Sequence, residues 1–125
     1  MKSKVLLVDD KTEFRTLVKL YLATKYEVET AENGLAALSL IKSGYKPDII
    51  VSDLMMPEVD GETFVTQVRA SAALKNVPII ILSSIDKSSK RVDLIKNGAN
   101  DYLTKPFNPE ELEIRIENLL KISSK

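Results

Sequence analysis

The stretch Val5-Leu6-Leu7-Val8-Asp9-Asp10 decides how this chain is to be read. An unbroken apolar run with β-branched residues and no polar alternation fits a strand buried on both faces. Two carboxylates, Asp9 and Asp10, close that strand. Ile49–Val51 and Ile79–Leu82 repeat the apolar run, and Asp53 closes the first of these as Asp9 closes the opening strand.

Working outward, the stretches between these strands have helical periodicity. Phe14, Leu17, Val18, Tyr21 and Leu22 recur at i, i+3, i+4, i+7 and i+8, and Leu112, Ile116, Leu119 and Leu120 do much the same near the end. Weaker helices fit Asn33–Ser43, Gly61–Ala72 and Lys87–Asn97, the last closed by Gly98 as a left-handed cap. Short strands at Glu27–Ala31 and Asp101–Thr104 complete the alternation. Pro47, Pro57, Pro78, Pro106 and Pro109 all fall at or near element boundaries, and Asn108 is placed to cap a last helix that begins with Pro109. Five β units, each followed by a helix, predict a single α/β domain over residues 1–125: a (βα)5 doubly wound parallel sheet covered on both sides. Only Ile122–Lys125 reads as a fraying tail.

Composition narrows the chemistry. With no Cys and no His, disulfide frameworks, Cys/His zinc sites, thiol nucleophiles and imidazole acid–base catalysis are excluded. The 18 Lys+Arg balance 18 Asp+Glu, so no basic surface is indicated for direct nucleic-acid contact. No stretch approaches the roughly 18 apolar residues of a membrane span, and a short apolar run that meets two acids at once is wrong for a signal peptide. A cytoplasmic protein is expected.

In an open parallel sheet the ligand crevice lies beyond the carboxyl ends of the strands, where strand order reverses. If the first and third strands are neighbours, Asp9, Asp10 and Asp53 crowd one site. Two like charges about 4 Å apart repel by roughly 4 kcal/mol at an effective dielectric near 20, so the cluster calls for a cation or a proton. Oxygen-only ligands point to Mg2+. A single strand-end aspartate often does no more than cap the next helix, but three converging on one crevice weaken that reading. Ser83 closes the fourth strand and Lys105 follows the fifth, bringing a hydroxyl and an ammonium to the same rim. Together these groups form a phosphoryl-transfer set: carboxylate nucleophile, metal ligands and donors for the equatorial oxygens.

At these residues the chain resembles the receiver domain of two-component response regulators. The motifs are Val8–Asp10, Ser52–Pro57 (S-D-L-M-M-P), Asp60–Gly61, Leu82–Ser84 and Asp101–Phe107 (D-Y-L-T-K-P-F), spread over essentially the whole length. The resemblance implies a flavodoxin-like, CheY-like sheet in strand order 2-1-3-4-5 and a cis Lys105–Pro106 bond. It implies that Asp53 accepts a phosphoryl group from the phosphohistidine of a histidine kinase or phosphotransfer protein. Asp9, Asp10, Asp53 and the Met55 backbone carbonyl would bind Mg2+, while Ser83 and Lys105 would hold the phosphoryl oxygens. Ser83 and Tyr102 would act as the switch pair, the ring packing inward when the phosphoryl group draws Ser83 in.

The signal would leave by the surface of the fourth helix, fifth strand and fifth helix. There Lys87, Lys90, Arg91 and Lys96 outnumber Asp86 and Asp93, whereas the last helix is acidic on balance. Ile114 falls off the core stripe of its helix and, with Val92 and Ile95, makes an apolar patch flanked by Arg91, Glu111, Asp101 and Arg115. That set is similar to the dimer face of the OmpR/PhoB-type transcription-factor subfamily, although Asn100 and Glu117 depart from its charges. A weak, activation-dependent homodimer is expected. Apolar Met55 and Ile85, two residues beyond Asp53 and Ser83, suggest slow self-dephosphorylation.

Other classes fit less well. An aspartate-nucleophile phosphatase would want a second acid where Met55 stands. A flavodoxin-like electron carrier needs a Ser/Thr/Gly-rich loop after the first strand, and a nucleotide switch needs clustered glycines. A degenerate receiver would have lost one of the site residues. The chain is expected to work alone on a partner or as the receiver of a longer DNA-binding transcriptional regulator, and it is expected to be no classical enzyme.

Overall fold

The computed structural model describes residues 2–56, 59–84 and 88–123, the side chains of Ser88 and Ser89 excepted. Its elements alternate: β1 (Lys4–Val8), α1 (Thr12–Leu22), β2 (Glu27–Ala31), α2 (Gly34–Lys42), β3 (Ile49–Asp53), α3 (Gly61–Ala70), β4 (Ile79–Ser83), α4 (Ser88–Lys96), β5 (Asp101–Thr104) and α5 (Pro109–Ser123). All strand pairs are parallel, in the order β2-β1-β3-β4-β5, so the expected five-stranded doubly wound sheet is present and β1 lies beside β3.

Burial on both faces explains the continuous apolar strands. Val5 and Leu7 of β1, with Ile80 and Leu82 of β4, pack against Val18 and Leu22 of α1 and Leu112 and Ile116 of α5. The alternate residues Leu6, Val8, Ile79 and Ile81 turn to the other face, against Ala37, Phe64, Val68 and Leu94 of α2, α3 and α4. Each such side chain contributes roughly 1.5–3 kcal/mol on burial, so the sheet needs no staple.

Several boundaries differ from those read in the sequence. β3 and β4 do end at the polar residues expected to close them, Asp53 and Ser83, which the ladder pairs with Leu82 and Thr104. The third helix stops at Ala70, where extended Ser71 leads into a 3-10 turn over Ala72–Leu74. Asn33 is the cap of α2, its side chain accepting from Ala36 N–H, and lies outside the helix. Ile122 and Ser123 are helical, so the expected fraying does not begin at Ile122; Ser124 and Lys125, like Lys87 at the expected start of the fourth helix, lie outside the described residues. The apolar stripe of α1 is narrower than its periodicity suggests: Val18 and Leu22 are buried, but Leu17 and Tyr21 are exposed. Gly98, at φ +124°, ends α4 as expected, and Lys105–Pro106 is cis.

Candidate functional site

β1 and β3 run side by side with Val8 opposite Ser52, which brings the residues after β1 to the end of β3. One carboxylate oxygen each from Asp9, Asp10 and Asp53 lies within 4.8 Å of the others. Asp9 and Asp53 are buried while Asp10 is exposed. Asp9 Oδ1 accepts from Lys11 N–H at 2.8 Å, and Asp53 Oδ1 from Leu54 N–H at 3.0 Å, so the backbone orients both buried acids.

Lys105 crosses from the end of β5, its ammonium 3.3 Å from Asp9 Oδ2 and 3.5 Å from Asp53 Oδ1. It is aimed by its own backbone N–H, which donates to the Ser83 carbonyl at 2.7 Å, and by the Phe14 ring, whose centroid lies 4.3 Å from the ammonium. Phe14 is held edge-on by Phe107 at 5.9 Å. Burial pushes the Asp53 carboxyl above the usual range; Lys105 opposes that shift and Asp9 adds to it. Three carboxylates facing one ammonium leave net negative charge in a half-closed site. A small divalent cation with oxygen ligands fits that donor set.

The remaining expected site residues are distributed around this centre. Ser83 is buried at the end of β4. Met55 follows Asp53 by two residues with its side chain exposed; Pro57 and Ile85 lie outside the described residues. The D-G pair has a local reason. Asp60 caps α3 by accepting from Thr63 N–H, which holds its carboxyl below the usual range, and a Cβ on Gly61 would stand 2.8 Å from Leu54 Cα. That close approach, with the Gly61 N–H donating to the Leu54 carbonyl at 2.8 Å, brings the start of α3 against the residue that follows β3.

Tyr102 is 5% exposed, with the Arg91 guanidinium 5.2 Å from its ring centroid, so the ring sits inside rather than at the surface from which an inward swing would start. Val92, Ile95 and Ile114 are exposed, as the off-stripe position of Ile114 suggested. The charges around them pair within the chain: Arg115 Nη1 reaches Asp101 Oδ1 at 2.8 Å and Nη2 reaches Glu111 Oε2 at 3.5 Å. Asp86 and Lys87 lie outside the described residues.

Three features were missed by sequence reasoning. Phe14, on the core stripe and packed against the core, also shapes the site through Lys105 and Phe107. Leu17 and Tyr21 join Phe107 and Pro106 along a groove of about 450 Å3 beside the site. Arg15 donates to the Asp9 carbonyl at 2.7 Å. Residue type betrays none of the three, since an apolar residue at helical spacing reads as core and a contact with main chain leaves no pattern.

Residues 5–117 match the family model described as "Response regulator receiver domain". The chain is 38% identical over 119 residues to "Sensor histidine kinase TmoS" of Ectopseudomonas mendocina, covering 95% of this chain and 12% of the kinase. It is 38% identical over 125 residues to "Probable transcriptional regulator ycf27" of Porphyra purpurea, covering 99% of this chain and 50% of that protein. The chain thus spans half or less of the length of these relatives. Among solved structures, the chemotaxis response regulator CheY4 of Vibrio cholerae superposes with a TM-score of 0.88 at 37% identity, covering 95% of this chain and 99% of that one. The Francisella response regulator 1452 receiver domain gives 0.89 at 36%, covering 97% and 98%.

Proposed function

The chain belongs to the response regulator receiver domain family, and from that premise we propose that Asp53 is its phosphoacceptor. The observation that supports this most is the arrangement of three carboxylates within 4.8 Å with Lys105 reaching two of them, at the carboxyl ends of adjacent strands. The donor is the phosphohistidine of a histidine kinase or phosphotransfer protein. The N–P bond of that donor breaks, a carboxylate oxygen of Asp53 forms the new O–P bond, and the imidazole departs with its electron pair. No general base is needed, because the nucleophile is the carboxylate itself, so positioning and charge neutralisation supply the catalysis.

Lys105 and the Ser83 hydroxyl hold the phosphoryl oxygens, the lysine kept at the rim by Phe14. Asp9, Asp10, Asp53 and the Met55 carbonyl are the ligands for Mg2+, which when bound neutralises developing charge on the transferred group. Beyond its own phosphorylation and dephosphorylation the domain needs no catalytic role, and it works in the cytoplasm; among the described residues no helix is long and apolar enough to cross a membrane. Apolar Met55 gives an attacking water little to orient it, which favours a long-lived phosphorylated state.

Output runs through Ser83 and Tyr102 to the face of α4, β5 and α5. A phosphorylation-dependent homodimer there would bury Val92, Ile95 and Ile114 and exchange the internal pairs of Arg115 for pairs across the interface. Sedimentation of phosphorylated protein tests it; a monomer at high concentration removes the dimer from the proposal. The regulator from Porphyra purpurea, half of which matches this chain, favours a receiver of a longer transcriptional regulator as the second reading.

The deciding experiment is incubation with acetyl phosphate and Mg2+, read by intact mass, for the wild type and Asp53→Ala. A gain of about 80 Da, one phosphoryl group, that requires both Mg2+ and Asp53 is the expected result. A gain that survives in Asp53→Ala overturns the assignment of the acceptor.

A further inference from the structure

Resting on the reading of the carboxylate cluster as a divalent-cation site, we infer that Arg15 is a positioning residue for that site, acting through the main chain of the turn after β1. Its Nη1 donates to the Asp9 carbonyl at 2.7 Å, its Nη2 to Thr12 Oγ1 at 3.2 Å, and its backbone N–H to the Lys11 carbonyl at 3.0 Å. One side chain therefore spans the turn from the last buried acid to the first residue of α1. The capping residue Lys11 makes no side-chain cap bond, so the other side-chain clasp of the turn is the Asp9 carboxylate on the Lys11 N–H at 2.8 Å.

The two acids of the turn depend on it differently. Asp9 is held independently, Oδ1 by Lys11 N–H and Oδ2 by Lys105. Asp10 is exposed, and its carboxylate has no hydrogen-bond partner among the described residues. Its position within the cluster is thus set by the backbone, through the peptide before it, whose carbonyl oxygen Arg15 holds, and the peptide after it, whose N–H the Asp9 carboxylate holds. Freeing that peptide lets Asp10 swing toward water, and the third ligand is lost from the ready-made set. The planar fork of arginine satisfies two acceptors in fixed directions, which an ammonium does not.

The opposing explanation is that Arg15 merely lends positive charge to an acidic region. The two views predict opposite signs. A cation that acts only by charge repels a divalent ion, so its removal tightens Mg2+ binding; a clamp, when removed, weakens binding although a repelling charge has gone.

The test compares Arg15→Met and Arg15→Lys with the wild type, titrating Mg2+ alone by calorimetry or amide shifts, with no phosphodonor present. The dissociation constant for Mg2+ is expected to rise about tenfold in both variants, as for other groups that orient metal ligands. In acetyl phosphate uptake the half-saturating Mg2+ concentration rises by the same factor, the rate at saturating Mg2+ is kept, and the melting temperature stays within a few degrees of wild type. Unchanged or tighter Mg2+ binding in Arg15→Met, recovery in Arg15→Lys, or affinity lost only in step with stability overturns the clamp. Mg2+ binding that responds to Arg15 in a protein that takes up no phosphoryl group would sink the proposed function and leave this inference standing. A wild type that binds no Mg2+ would sink the cation site and this inference with it.

Discussion

Replacing Asp53 by Asn should stabilise the fold in metal-free buffer at neutral pH. At an effective dielectric near 20, unit charges 4.8 Å apart interact by about 3.5 kcal/mol and those 3.5 Å apart by about 5 kcal/mol. Asp53 meets two such repulsions, from Asp9 and Asp10, against one attraction, to Lys105. Solvent screens the exposed Asp10, while burial of Asp53 adds to the cost of its charge. The balance favours the neutral isostere by about 1–2 kcal/mol. Asn keeps the oxygen that accepts from Leu54 N–H, so the local structure is preserved. The sign of the pH dependence follows from the raised carboxyl of Asp53. Where the native state holds its proton and the unfolded chain has lost it, wild-type stability falls with rising pH, from the ordinary carboxylate value of 3.8 upward. The advantage of Asp53→Asn is therefore absent in acid and complete once native Asp53 ionises. Mg2+ at ten times its dissociation constant adds about 1.4 kcal/mol to the wild type and less to a variant lacking one ligand, which narrows the gap. Urea unfolding in EDTA and in Mg2+, at several pH values, measures all three. A variant no more stable than wild type in EDTA at pH 7, or a gap that does not change with pH, would refute the electrostatic account.

Other substitutions probe the scaffold. Arg69→Met removes a guanidinium that donates to the Gly98, Leu74 and Val77 carbonyls and to Asn100 Oδ1 at 2.6–3.0 Å. The Gly98 and Val77 carbonyls lose their donor while Leu74 keeps the Val77 N–H, for a loss of about 2–3 kcal/mol by urea unfolding; a loss below about 1 kcal/mol would show that water replaces the arginine freely. Gly61→Ala puts a Cβ 2.8 Å from Leu54 Cα and should cost about 1–3 kcal/mol, visible as a lower melting temperature. Asp60→Ala removes the cap of α3 for about 1 kcal/mol at neutral pH. Because the Asp60 carboxyl is depressed, its contribution is present above the ordinary carboxylate range and fades as pH falls through the native value; the two proteins should converge in acid.

Legibility in the sequence followed the kind of contact each residue makes. Strands buried on both faces leave unbroken apolar runs, so β1, β3 and β4 could be read directly, and the acids that follow β1 and close β3 mark the crevice in the sequence itself. Helix α1 misled because Leu17 and Tyr21 keep the helical period yet face the groove beside Lys105 and Phe107. Periodicity reports which residues share a face, not what lies opposite. Arg15 and Arg69 could not be read at all. Both bond chiefly to main-chain carbonyls, which every residue carries, so no partner residue type answers them in the sequence.

The same distinction bears on why α4 is suited to transmit a signal. Of its described side chains only Leu94 is fully buried, while Val92 and Ile95 lie exposed; α5 buries Leu112 and Ile116 and half-buries Leu119 and Leu120. Besides Leu94, what fixes α4 is largely polar and sits along its length: Arg69 on the Gly98 carbonyl at its carboxyl end, Arg91 over Tyr102 and bonded to Thr104 Oγ1 at 3.4 Å, and the ion pair of Lys90 with Glu62 of α3. Half-exposed polar contacts contribute on the order of 1 kcal/mol each and can be exchanged for water or for a partner, whereas expelling a buried leucine costs several times more. An element held this way has alternative positions within a few kcal/mol, and a phosphoryl group on the proposed acceptor Asp53, at the end of β3 beside β4, would select between them. Native-state amide exchange should accordingly be fastest, among the helices, in α4, and protection of α4 equal to that of α5 would contradict this ranking.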